Sequence, residues 1–90
     1  MNICKRCYIS GRVQGVAFRY YTQQEAQKLG ITGFANNLTD GRVEVLAYGK
    51  SDSVNKLCWW LHKGSPSAHV IEVKCKIETD FNIPNSFRIG

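Results

Sequence analysis

Ninety residues, 43% hydrophobic and 21% charged, describe one small globular domain over residues 1–90 and exclude a disordered chain. No run of eighteen apolar residues occurs, which excludes a spanning helix, and "MNICKRCYIS" lacks the apolar stretch of a secretory leader. The expectation is a cytoplasmic protein with no membrane partner. The net charge of +5 is concentrated: Lys5, Arg6, Arg12, Arg19 and Lys28 against Glu25 alone give residues 1–30 a charge of +4, a field that raises the local concentration of anions.

In chain order, "ICKRCYIS" alternates loosely and ends at Gly11, which predicts a strand with Ile3, Cys7 and Ile9 on one face and Lys5 as an awkward fourth member. "GRVQGVA" is a glycine-marked loop. "FRYYTQQEAQKLG" predicts a helix, with Phe18, Thr22, Glu25 or Ala26, and Leu29 at helical spacing and Gly30 as its stop. "ITGFANN" and "RVEVLAYG" are two strands around "LTDG", where Asp40-Gly41 marks the turn. "SDSVNKLCWWLHKG" predicts a second helix capped by Ser51 or Asp52, with Val54, Leu57, Cys58 and Leu61 on its apolar stripe. Trp59 and Trp60 are about 100° apart on it, so at most one faces the core. "HVIEVKCKIE" is a strand with Val70, Glu72, Lys74 and Lys76 on one face and Ile71, Val73, Cys75 and Ile77 on the other, and "NSFRIG" is a short closing strand. The order β-α-β-β-α-β with a short final strand predicts an α+β, ferredoxin-like sandwich: a mainly antiparallel sheet with two helices on one face.

The four cysteines invite a metal or redox reading through "CKRC". A zinc site needs a second ligand pair at suitable spacing, which Cys58, Cys75, His62 and His69 do not form. Cys4 and Cys7, three apart in a strand, point to opposite faces with Cα atoms roughly 10 Å apart, too far for a disulfide. The expectation is four reduced cysteines acting as small apolar fillers, no metal and no cofactor. His62 and His69 read as surface or half-buried residues, not general bases.

The loop from Gly11 to Phe18 joins a strand to a helix. Glycines there let a ligand approach the backbone, and amides converging on a helix N-terminus attract an anion. Arg19 adds a cation whose fork matches a phosphate. GxxxG followed by Arg is neither a Walker loop nor a dinucleotide fingerprint, and by spacing alone it fits a phosphate loop or a plain connector. Asn37 by itself fits an ordinary turn residue.

The full strings "GRVQGVAFR" and "GFANNLTDG" resemble the two signatures of the acylphosphatase family, and the likeness extends through "VNKLCWWLHKGSPSAHV" to "FRI". The resemblance implies the ferredoxin-like fold and hydrolysis of carboxylic–phosphoric mixed anhydrides. It implies that Arg19 and Asn37 are catalytic, and that Val13, Gln14, Gly15, Val16 and Ala17 hold the phosphate through backbone amides. Asn36 stands where relatives are often basic, so two asparagines adjoin, and the spacing to Gly33 and Gly41 selects Asn37. Leu38 stands where relatives often carry a hydroxyl. The implied partner is a small acyl phosphate, with inorganic phosphate or sulfate as a product-like ligand, a monomer and no nucleic acid. A silent anion-binding module is the alternative. An RNA-recognition module shares the fold, but its aromatic string is absent.

Overall fold

The computed structural model describes residues 1–90. Strand β1 (Asn2–Arg12) leads through a five-residue loop to helix α1 (Phe18–Lys28), then come β2 (Thr32–Asn37) and β3 (Val43–Lys50). Helix α2 (Ser51–Trp60), β4 (His69–Ile77) and β5 (Phe87–Ile89) follow. The five strands form one sheet in the order β4-β1-β3-β2-β5, antiparallel except for the β2–β5 pair. This is the α+β, ferredoxin-like sandwich expected from the element order.

The alternation in β1 and β3 makes the core. Cys7, Ile9, Val43, Val45 and Ala47 turn to the helix side and meet Phe18 and Ala26 of α1 and Val54 and Leu57 of α2. Thr22 is fully buried in α1, its hydroxyl satisfied by donating to the Phe18 carbonyl at 2.8 Å. Trp60 packs on this core against Phe18, while Trp59 is 76% exposed. Lys5 resolves its awkward position by reaching Asn55 of α2, donating to its side-chain oxygen at 3.0 Å. On the opposite face Arg6 pairs with both Glu44 and Glu78 at 2.6 Å.

Three expectations need correction. Neither Ser51 nor Asp52 caps α2: Lys50 is the N-cap without a side-chain bond, and Asp52 lies in the first turn, where a negative charge suits the helix dipole. The predicted faces of β4 hold only from Glu72 onward. Ser10 pairs with Glu72 but Gly11 pairs with Val70, so Ile71 is an extra residue in a bulge. One extra residue exchanges the faces: Val70 packs on the core with Val73 and Cys75, and Ile71 is 73% exposed. Finally, the cysteines are not all reduced. Cys7 and Cys75 are directly opposed across β1 and β4 and form a disulfide, with Cα atoms 4.0 Å apart. Cys4 and Cys58 are free, and burial pushes both thiols above their ordinary pKa.

Gly11 makes the bulge possible. Its φ is +123°, and a Cβ there would lie 2.2 Å from the His69 carbonyl oxygen. Gly11→Ala is expected to cost about 1–3 kcal/mol, the usual scale of overpacking, read as a lowered denaturation midpoint with an unchanged slope.

Candidate active site

Val43 of β3 pairs with Ile9 of β1 on one side and with Asn37 of β2 on the other. Opposed residues of an antiparallel sheet share a face. Ile9, Val43 and Asn37 therefore lie on one rung and turn toward the helices. The neighbouring rung, Tyr8, Glu44 and Asn36, turns to the other face. The register thus separates the two adjacent asparagines physically, and Asn37 is the one on the helix side.

At this end of the sheet the chain leaves β1 and enters the loop of Val13 to Ala17. Gly15 and Ala17 both adopt left-handed backbone, at φ +74° and +60°. The left-handed conformation costs a residue with a Cβ about 1–2 kcal/mol, and Ala17 holds it as the N-cap of α1. Left-handed residues in a loop before a helix direct successive amides to one concave spot. None of the amides of Val13 to Ala17 donates to a backbone acceptor of the chain. A methyl on Gly15 would meet nothing within 4 Å, so the constraint there is conformational.

Two further contacts fix the loop. Val13 is buried in the core, anchoring its start. Gln14 turns its side-chain amide to the β2–β3 turn, donating to the carbonyls of Leu38 at 2.8 Å and Arg42 at 2.9 Å. The turn is itself braced by Asp40, whose carboxylate accepts from the Arg42 amide at 3.1 Å and from its guanidinium at 2.9 Å. Those bonds, the backbone amide first, hold the Asp40 carboxyl below its ordinary pKa.

Arg19 stands in the first turn of α1, where no acidic residue is present. Its guanidinium donates to the backbone oxygen of Gly90, which leaves other donors of the fork for a ligand. Phe18, buried against Trp60, anchors the helix start beside it. Val13, Gly15, Ala17, Phe18, Arg19, Tyr20, Asn37 and Ile89 line one cavity of about 160 Å³. Arg19, Asn37 and three of the five loop residues expected from the sequence thus meet there, while Gln14 acts through its tether. Tyr20 and Ile89 were not foreseen. Tyr20 follows from its place beside Arg19 on the helix, but Ile89 arrives through the parallel β2–β5 pairing, which leaves no local pattern. His62 and His69 are exposed and lie outside this cavity.

By fold and site this is a ferredoxin-like α+β protein with an anion-ready strand–helix loop. The acylphosphatase family profile matches residues 5–89. An acylphosphatase of Halorhodospira halophila is 54% identical over 85 residues, covering 94% of this chain and 91% of that one. The structure of an acylphosphatase from Coxiella burnetii superposes with a TM-score of 0.93 at 36% identity, covering 99% of this chain and 93% of that chain. That of the Bacillus subtilis acylphosphatase also gives 0.93, at 34% identity, covering 100% and 99%. The chain belongs to the acylphosphatase family, and it is an enzyme, a hydrolase of small acyl phosphates.

Three substitutions probe the loop without touching the charged groups. Gln14→Ala removes two hydrogen bonds and is expected to destabilise by about 1–2 kcal/mol, with faster amide hydrogen exchange in both the loop and the 38–42 turn. Ala17→Val places a β-branched residue at positive φ and should loosen the same amides, whereas Gly15→Ala, with open space around it, should cost about 1–2 kcal/mol.

Proposed function

We propose that the cavity at the loop–α1 junction is where the acyl phosphate is cleaved to a carboxylate and inorganic phosphate. The single observation that carries this reading is that Arg19, Asn37 and the loop line one small cavity. The leaving group is a carboxylate, a weak base, so departure needs little help from an acid. Phosphoryl transfer proceeds through a loose transition state with charge spread over the equatorial oxygens, and catalysis is mostly positioning and electrostatics.

The residues divide that work. The amides of Val13, Gln14, Gly15, Val16 and Ala17 cradle the phosphoryl oxygens, and the Arg19 fork binds two of them. Asn37, two strands away from β1 on a shared rung, holds the attacking water; a neutral amide orients the water without deprotonating it. The water oxygen bonds to phosphorus, the bond from phosphorus to the acyl oxygen breaks, and the carboxylate leaves with that electron pair. The water proton passes to a phosphate oxygen of the substrate itself. No step in this scheme calls for a metal ion. One copy of the chain carries every group the scheme uses, which supports action as a monomer, and we place it in the cytoplasm. Inorganic phosphate or sulfate is expected to bind the same loop as a product-like ligand.

Hydrolysis of a simple acyl phosphate in excess chelator tests the scheme. Arg19→Ala should abolish nearly all turnover, and Arg19→Lys most of it, because a point charge replaces a fork. Asn37→Ala should lower turnover by at least about 10²-fold, the scale of losing one preorganised polar group, and Asn36→Ala by far less. A larger loss at Asn36 than at Asn37 would overturn the assignment. Failure of folded wild type to hydrolyse acyl phosphate would leave the silent anion-binding alternative.

A further inference from the structure

A second cluster lies on the core side of β1 and β4, away from the catalytic cavity. The sulfurs of Cys7, Cys58 and Cys75 all fall within 4.8 Å of one another, and Cys58 approaches Cys7 at 3.6 Å. Three elements supply them: β1, α2 and β4. Cys58 and Cys75 also line an open groove of about 600 Å³ between α2 and β4, which Lys5 and Lys56 flank.

Two chemistries fit three neighbouring sulfurs, and geometry separates them. Thiol–disulfide exchange requires the attacking sulfur in line with the bond it breaks. With Cys58 at 3.6 Å from Cys7, such a line would put it about 5.6 Å from Cys75, given an S–S bond of about 2.05 Å. The three sulfurs instead form a compact triangle within 4.8 Å. A trigonal metal site with metal–sulfur bonds of about 2.3 Å separates its sulfurs by about 4.0 Å, which this triangle brackets once the disulfide is opened.

We infer that the reduced protein binds one thiophilic metal ion between Cys7, Cys58 and Cys75, and that the fitting ion is copper(I). Thiolates select soft ions. Zinc structural sites are almost always four-coordinate, whereas the cluster itself holds three ligands; His62 and Asp52 line the adjoining groove but lie outside the cluster. Three thiolates around a monovalent ion carry a charge of −2; of the charged side chains lining the groove, Lys5 and Lys56 oppose that charge and Asp52 adds to it. The groove gives the ion a way in past Cys58 and Cys75. Opening the disulfide takes a reductant, either two thiols or a phosphine. The Cys7–Cys75 bond breaks, each sulfur gains one electron and one proton, and the reductant leaves as a disulfide or, with an oxygen from water, as phosphine oxide. Metal binding then releases the thiol protons to solvent.

The test uses the full chain reduced with a phosphine and titrated without oxygen with copper(I) against a chromogenic copper(I) chelator. Reduced wild type should take up one equivalent and show thiolate-to-copper absorption. Reduced Cys58→Ser, and the unreduced wild type, should bind at least about 100-fold more weakly, since a coordinated site loses most of its affinity with its ligand set. Cys75→Ser should repeat the loss, and Cys4→Ser, whose side chain lies on the opposite face of β1, should bind like wild type. Acyl phosphate hydrolysis by each variant reports that it is folded. No uptake by the reduced wild type, equal affinity in a folded Cys58→Ser, or zinc binding in preference to copper would each overturn the inference.

Discussion

The rung of Ile9, Val43 and Asn37 is the constraint on which the molecule turns. Because β3 is antiparallel to both β1 and β2, those two strands run in the same direction. Their C-terminal ends therefore emerge at one end of the sheet. One end releases the loop and Arg19, and the other carries Asn37. Their separation is two strand spacings, about 9.6 Å, close enough for groups on both to face one phosphoryl group and its attacking water. Slipping β2 by one residue against β3 would put Asn36 on the helix side and Asn37 on the other. The buried partners Ala35, Val43 and Val45 resist that slip. Hydrophobic burial in the sheet thus sets which polar side chain reaches the cavity.

The loop concentrates unfavourable features that local stability alone would remove. A cation stands in the first turn of α1, a non-glycine residue is left-handed, and five amides find no backbone acceptor in the chain. Strain of this kind persists only where the surroundings over-determine it. Here Val13 and Phe18 fix both ends of the loop in the core, and Gln14 ties its middle to the β2–β3 turn. A phosphorylated ligand would relieve the first and third features together, by supplying negative charge and acceptors.

Much of this was legible in the chain. Period-two alternation in β1 and β3 and the 3.6-residue spacing of Phe18, Thr22 and Ala26 predict the elements, whereas Asn37 by itself reads as a turn residue and stands out only through the family resemblance. The errors have common physical causes. Alternation assumes an unbroken ladder, so it could not see that the Gly11–Ile71 bulge turns Val70 inward. The cysteines were judged by local spacing, which set Cys4 beside Cys7; the sheet sets Cys75 opposite Cys7 across 68 residues of sequence. Gln14 was assigned by its backbone, since nothing local reveals that its side chain finds the carbonyls of Leu38 and Arg42. Nothing local marks Ala17, yet it is the one non-glycine residue with positive φ, at +60°.

Strand β1 carries Cys7 of the sulfur cluster and leads directly into the Val13–Ala17 loop, which raises the question of whether the two are coupled. Cys7 is bound to β4 through its side chain, but β1 is also held along its length by β3, from Asn2–Lys50 to Ile9–Val43. That ladder fixes the rung bearing Asn37 without the disulfide. Between Cys7 and the loop lies the bulge at Gly11, where the β1–β4 register breaks. Val13 lies beyond the last β1–β4 pair and is held by the core. β3 thus sets the register of the Asn37 rung from one side of β1, while Cys7 and Cys75 join β1 to β4 on the other.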